Sequence, residues 1–309
     1  MNQPVTMSYL GPAGTFTEMA LAEFRRAHFS GVQSNSLPTD SPSEAISAVL
    51  DRQADYACVA LENSVDGPIT ATFDALTRGV QIYYEYDLEI SFALMTRPHH
   101  SYGKRPILST HPVAYQQTKV WIKDHIGEHE FLPASSNAAA AQAVARGEAD
   151  IAVAPALSAE IYELEIKATH VADQAHAMTR FVLVGLPGVP TPRTGHDRTG
   201  LAFTLPNTPG SLVGALNECA VRGVDLTRIE SRPLHQGLGS YRFYVDLHGH
   251  ISDPDIQEAL AALYRRATDL IFLGSWPRID APIDRVDQEP RYQSAQSWIQ
   301  SLLKGTPVG

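Results

Sequence analysis

Only two of the 309 residues are cysteine, Cys58 and Cys219. So few thiols exclude the disulfide framework of a small secreted domain and any cysteine-rich zinc module. Both fall in apolar runs, one strand-like and one helix-like, so buried free thiols are expected. No apolar run reaches the length of a membrane span. Met1 to Val5 lacks the basic-then-apolar opening of a signal peptide, so a cytoplasmic location without membrane partners is expected. Cations are scarce, with 24 Lys and Arg against 34 Asp and Glu and a net charge of -10. That balance argues against nucleic acid as a partner. It also means that an anionic ligand needs a local positive site. His99 and His100, His111, and His248 and His250 are scattered, without the i, i+4 spacing of a helical zinc pair. His99 and His100 read as solvated surface, and no metal is expected.

What is present fits two globular domains, each with its own core. Met7 to Leu10 reads as a strand running through Gly11-Pro12-Ala13-Gly14 into a helix. Thr15 and Glu18 have capping-box spacing, and Phe16, Ala20 and Phe24 recur on one helix face. Ser41, Pro42 and Glu44 mark a second helix start. Tyr56 to Leu61 is a strand ending at Glu62-Asn63-Ser64, with a short helix from about Ile69 to Leu76. Asp87 to Thr96 is strand-like and leads into a second lobe. There, a strand Pro106 to Ser109 precedes a helix from about Pro112 to His125. A strand near Phe131 is followed by an alanine-rich helix, Asn137 to Arg146, capped by Ser135 and Ser136. Ile151 to Ala154 and Thr179 to Gly185 are further strands, the last returning to the first lobe. Strands alternating with helices predict a mainly parallel sheet in each lobe, with ligands beyond the strands' carboxyl ends, in the cleft.

Leu186 to Gly200 is rich in proline and glycine and reads as a linker. After it, strand Thr199 to Leu205, helix Ser211 to Val221, a hairpin of Val224 to Arg232 with Tyr241 to Gly249 around Gly237 and Gly239, helix Pro254 to Ala267 and strand Asp269 to Ser275 give a ferredoxin-like βαββαβ unit. The expected domains are therefore 1–186, 199–277 and a tail, 278–309. In the tail, Ala295, Trp298, Ile299, Leu302 and Leu303 form one helical stripe that is expected to dock on its own subunit or across an interface.

Three short segments have residues suited to chemistry. The turn from Gly11 to Thr17 opens a helix, whose free N–H groups suit a carboxylate or phosphate. It has no Walker lysine, and local pattern alone favours an ordinary turn. Glu62-Asn63-Ser64 follows a buried strand, where α/β proteins place working residues. A capped polar loop explains it equally well, and Glu62 with Asp66 is weak as an acid/base pair. In Thr179-Arg180-Phe181, Thr179 offers a hydroxyl donor, Arg180 a two-pronged carboxylate ligand and Phe181 an apolar wall. Alone, the tripeptide does not beat a plain strand start.

Together, Gly11 to Thr17, Glu62-Asn63-Ser64, Thr179-Arg180-Phe181 and Glu230-Ser231-Arg232-Pro233 resemble prephenate dehydratases in order and spacing. Thr110-His111-Pro112 with Gln117 resembles a further block, although the family more often has serine before the histidine. The resemblance covers about Met7 to Pro277. It implies a two-lobed catalytic domain similar to type-2 periplasmic binding proteins, followed by an ACT domain. It implies loss of CO₂ and water from prephenate to give phenylpyruvate, without a cofactor. Thr179, Arg180 and Phe181 become the catalytic candidates. Gly14, Thr15, Phe16, Glu62, Asn63, Ser64 and Ser136 become the substrate-binding ones. Gly210, Ser211, Leu212 and Val213, with Glu230, Ser231, Arg232 and Pro233, become the candidate site for L-phenylalanine as allosteric effector, in a homodimer or homotetramer. Ser211 stands where the family usually has alanine. Ala177 stands where it often has asparagine or an acid, which removes an expected polar partner of Thr179. No chorismate mutase segment precedes Met7, so a bifunctional enzyme is not expected. The competing readings are an arogenate dehydratase, a non-catalytic amino-acid sensor and an exported solute receptor. The last two are disfavoured by the intact Thr179-Arg180-Phe181 and by the missing signal peptide.

Overall fold

The computed structural model describes residues 4–234, 240–279 and 289–305. The chain divides into two compact units, Met1–Val80 with Tyr84–Pro187, and Gln81–Tyr83 with Gly188–Gly309.

In the first unit, β1 (Val5–Leu10), α1 (Phe16–His28), β2 (Ser34–Thr39), α2 (Pro42–Leu50), β3 (Tyr56–Asn63), β4 (Gly67–Pro68) and α3 (Thr70–Leu76) build the first lobe. After β5 (Gln81–Glu89), the second lobe follows as β6 (Ala93–Thr96), β7 (Ile107–Thr110), α4 (Pro112–Gln117), α5 (Lys119–His125), β8 (Glu130–Pro133), α6 (Asn137–Ala145), β9 (Ile151–Ala154), α7 (Ala156–Ile161) and β10 (Glu165–Thr169). The chain then returns as β11 (Met178–Gly185).

The predicted caps close these helices. Thr15 Oγ1 accepts from the Glu18 N–H at 3.2 Å, while the Glu18 carboxylate reaches back to the Gly14 N–H at 2.6 Å. Ser41 and Ser136 cap α2 and α6 through the N–H groups of Glu44 and Ala139. Such caps contribute about 1 kcal/mol each. The predicted helix from Pro112 to His125 is two helices. Thr118 turns its hydroxyl back to the Ala114 carbonyl and leaves helical geometry at ψ 8°; α5 then takes its cap from a distant residue, as Asp173 accepts from the N–H groups of Val120 and Trp121.

Each lobe has a mixed sheet, not the mainly parallel one expected. In the first, β1 pairs in parallel with β2 and β3, but β11 and β4 run antiparallel to β3. In the second, β7 is parallel to β8 and β9, whereas β6 is antiparallel to β9 and β10. Helical crossovers force the parallel pairs. Strands β6 and β11 carry the chain between lobes and enter their sheets without such a crossover. Met7, Leu21, Phe24, Cys58 and Leu183 fill the first lobe's core, and Phe92, Leu108, Ile122 and Val153 the second's. Both cysteines are free and buried. His100 departs from the solvated role expected of it: its Nε2 lies 2.7 Å from Asp150 Oδ1, beside Arg97.

The second unit is the predicted βαββαβ, with β12 (Asp197–Thr204), α8 (Ser211–Ala220), β13 (Leu226–Pro233), β14 (Tyr241–His248), α9 (Pro254–Arg266) and β15 (Asp269–Pro277). The four strands lie in the order β13-β14-β12-β15, all antiparallel. Leu201, Phe203, Val245, Leu247, Ile256 and Leu263 form its core. The predicted turn at Gly237 and Gly239 lies outside the described residues. The tail helix α10 (Glu289–Leu303) forms, but Trp298, Ile299, Leu302 and Leu303 are exposed on this chain, so docking on its own subunit is not what is seen. Among the described residues, no helix is long and apolar enough to cross a membrane.

Candidate active site

The two lobes of the first unit line an open cavity of about 230 Å³. Thr15, Phe16, Asn63, Ser136, Thr179 and Phe181, all predicted from sequence, line it together. The apolar side is completed by Ile69, Ile90, Phe92 and Ala114. Phe16 and Phe92 meet edge to face, with ring centroids 5.4 Å apart.

Thr179 and Phe181 alternate along β11, so both point into the cavity. Opposite them, β3 carries a bulge. Arg180 pairs with Glu62 but Phe181 pairs with Ala60, which leaves Leu61 as the extra residue. That extra residue explains why Ala60 and Asn63, three positions apart, share the cavity face. Asn63 Oδ1 accepts from the N–H groups of Val65 and Asp66, which fixes the amide's orientation. Its Nδ2 therefore donates to Thr179 Oγ1, at 2.8 Å. With that lone pair occupied, the Thr179 hydroxyl keeps its own proton to donate, and the residue lines the cavity. Thr179 is 6% exposed, so little water competes for it. Asn63 thus supplies the polar partner that Ala177 does not.

Four predicted residues hold the site without lining it. The Gly14 N–H is taken by Glu18 and its carbonyl by Ser158 Oγ of the second lobe. Gly14 sits at φ +93°, and a Cβ there would lie 2.9 Å from that hydroxyl, so glycine is required. Ser64 ties its loop to β11, accepting from the Met178 N–H and donating its own N–H to the Met178 carbonyl. Glu62 faces away from the cavity and pairs with Arg180 at 3.0 Å. Arg180, expected to hold a substrate carboxylate, does not line the cavity. By strand alternation its side chain leaves on the opposite face from Thr179, where Glu62, Glu85 and Asp87 surround it. Burial works against its charge, but the three carboxylates outweigh that and raise its pKa further.

Among the described residues, none that lines the cavity is lysine or arginine. Backbone at helix starts forms part of its wall instead. Helices α1, α3, α4 and α6 all begin at its wall, at Thr15–Thr17, Ile69, His111–Val113 and Ser136–Asn137. Each helix N-terminus carries roughly half a positive charge, and their free N–H groups suit anions. This convergence was not legible from sequence, although the cap signals at Thr15 and Ser136 were.

Asp66, His111 and Gln117 also line the cavity, outside the candidate site residues. Asp66, in the loop after β3, accepts from Gln117 Nε2 at the end of α4, which ties the lobes at the cavity's rim. His111 caps α4 by accepting from the Val113 N–H at its Nδ1. Burial lowers the His111 pKa below its ordinary value near 6.5, with Asp66 opposing. Protonation at Nδ1 would also break the cap. A depressed histidine contributes stability above its unfolded value and loses it as pH falls through the folded one. We expect the melting temperature of the full chain to fall as pH drops below about 6.5, and less steeply in His111→Asn. Equal slopes for the two proteins would contradict this.

The match to known proteins follows this geometry. The family model described as prephenate dehydratase matches residues 7–188, and that of the ACT domain residues 199–263. A prephenate dehydratase of Corynebacterium glutamicum is 49% identical over 307 residues, covering 98% of each chain. This chain belongs to the prephenate dehydratase family. Of the solved structures, prephenate dehydratase from Arthrobacter aurescens in complex with L-Phe superposes with a TM-score of 0.88 at 36% identity, over 97% of this chain and 100% of that one. GqqA, a quorum quenching acylase, superposes with a TM-score of 0.77 at 30% identity, over 91% of this chain and 100% of its own. Family membership identifies the first unit as the two-lobed dehydratase fold and the βαββαβ unit as an ACT domain.

Proposed function

We propose that this family member converts prephenate to phenylpyruvate, CO₂ and water, and that L-phenylalanine bound to the ACT domain lowers the rate. Residues 1–186 form the catalytic part, 199–277 the regulatory part and 278–309 the tail. The observation that carries the catalytic reading is the Thr179 hydroxyl, hydrogen-bonded to Asn63 and lining a largely apolar cavity.

Breaking the bond to the ring carboxylate releases CO₂, and its electron pair moves into the ring. The ring hydroxyl then leaves as the ring becomes aromatic. Hydroxide is a poor leaving group, so a proton must reach that oxygen. Thr179 is too weak an acid to act alone in water, but as a positioned donor in a dry site it stabilises the departing oxygen and relays the proton consumed. The helix N-termini hold the side-chain carboxylate. The ring carboxylate lies against Phe16, Phe92 and Phe181, where loss of water favours the neutral product, CO₂.

Asp66 favours a second reading, arogenate dehydration, because a carboxylate on the rim gives the amino acid's ammonium group a partner. Comparing kcat/KM for prephenate and arogenate separates the two. The proposal expects prephenate to be preferred, and a clear preference for arogenate would replace it.

Regulation rests on the L-Phe held by the Arthrobacter aurescens protein and on the ACT domain present here. Gly210 caps α8 at φ +81° with open space above its Cα, and Ser211, Leu212 and Val213 open the helix. Glu230, Ser231, Arg232 and Pro233 end β13, the edge strand of its sheet. In a symmetric homodimer or homotetramer, one copy's β13 end closes over another's α8 start. The proposal keeps the cytoplasmic setting expected from sequence.

A further inference from the structure

The bulge at Leu61 interrupts the backbone ladder between β3 and β11 beside Thr179 and Asn63. The end of β11 that presents the hydroxyl is therefore joined to the sheet less regularly than the rest of the strand. On the face away from the cavity, one side chain spans the break. Arg180 Nη1 lies 3.0 Å from Glu62 Oε1 on β3, and its Nε donates to Asp87 Oδ1 on β5 at 3.0 Å. Glu85, also on β5 and with no side-chain exposure, stands 4.0 Å away. The guanidinium is 16% exposed, so water screens these pairs weakly.

We propose that Arg180 and Asp87 are positioning residues for Thr179, clamping the strand that carries it across the bulge; the inference rests on the dehydratase reading above. Neither touches substrate. A misplacement of about 1 Å at a reacting group costs on the order of a hundredfold in rate. Loss of the clamp therefore appears in kcat, while KM, set by the helix N-termini and apolar wall, holds. A carboxylate ligand would behave in the opposite way, with KM bearing the loss.

The test is steady-state turnover of prephenate by the full chain, by Asp87→Asn, Arg180→Met and the double variant, with Asp87→Glu as the conservative control. Asp87→Asn is expected to lower kcat about tenfold and Arg180→Met about a hundredfold, with KM within about threefold of the parent. The double variant should be no slower than Arg180→Met, because both changes remove one clamp. Asp87→Glu should recover most of the rate. Arg180→Met leaves three carboxylates facing one another and is checked for folding by circular dichroism. If it does not fold, Asp87→Asn against Asp87→Glu decides the matter, since Glu62 still holds the guanidinium there. Unchanged kcat with a steep rise in KM, multiplicative losses in the double variant, or full activity in Asp87→Asn would overturn the proposal. Absence of phenylpyruvate from the parent protein would instead overturn the dehydratase reading, and this inference with it.

Discussion

Thr179→Val is expected to lower turnover of prephenate by about a hundredfold to ten-thousandfold, the usual loss when a positioned proton-transfer group is removed. Valine matches threonine in shape and β-branching, so the cavity keeps its form and β11 its propensity. What disappears is the cavity-lining hydroxyl whose lone pair Asn63 occupies. The Asn63 amide then lacks its acceptor, and the unmet bond costs about 1–3 kcal/mol of stability. Thr179→Ser keeps the hydroxyl and separates the two effects, since it should retain far more activity than the valine variant. Phenylpyruvate formation and a melting curve on both proteins provide the readout. Near-parental turnover in Thr179→Val would remove Thr179 from the chemistry.

Gly210→Trp is expected to abolish inhibition by phenylalanine while sparing turnover in its absence. Nothing lies within 4 Å of a Cβ built at Gly210, and its φ of +81° suits glycine. A tryptophan there adds strain of about 1–3 kcal/mol and fills the space in which the start of α8 would receive the ligand's carboxylate. Inhibition requires phenylalanine to favour one global state over another, so loss of binding removes the whole effect. Calorimetric titration with phenylalanine, beside turnover with and without it, tests both halves. If the variant still binds and is still inhibited, the effector site lies away from the start of α8, and competition at the catalytic cavity becomes the better account.

Local chemistry made much of this readable from sequence. The caps at Thr15, Ser41 and Ser136 use side chains within four residues of the N–H groups they satisfy, and all three were predicted. The βαββαβ order was legible because its helices and strands have distinct periods. The site was legible in parts. Thr179, Phe181, Asn63, Thr15, Phe16 and Ser136 do meet at one cavity. Their chemistry was not, because the bond between Asn63 and Thr179 spans 116 residues and no local pattern encodes it. Arg180 is placed apart from them. Thr179-Arg180-Phe181 is contiguous in sequence, but a strand turns successive side chains to opposite faces. That rule alone assigns Arg180 to the far side from Thr179. The convergence of four helix starts on one cavity depends on tertiary packing, which no local pattern encodes. The exposed stripe on α10 is a case in which periodicity correctly gave the helix but not its surroundings.

The central claim is that this cavity removes CO₂ and water from one substrate molecule together. Its most direct test is to incubate the full chain with prephenate at neutral pH and quantify phenylpyruvate and CO₂ against a protein-free control. The account predicts both products in equal amounts, at a rate proportional to protein and greatly reduced in Thr179→Val. Prephenate consumed no faster than in the control, or CO₂ released without phenylpyruvate, would contradict it.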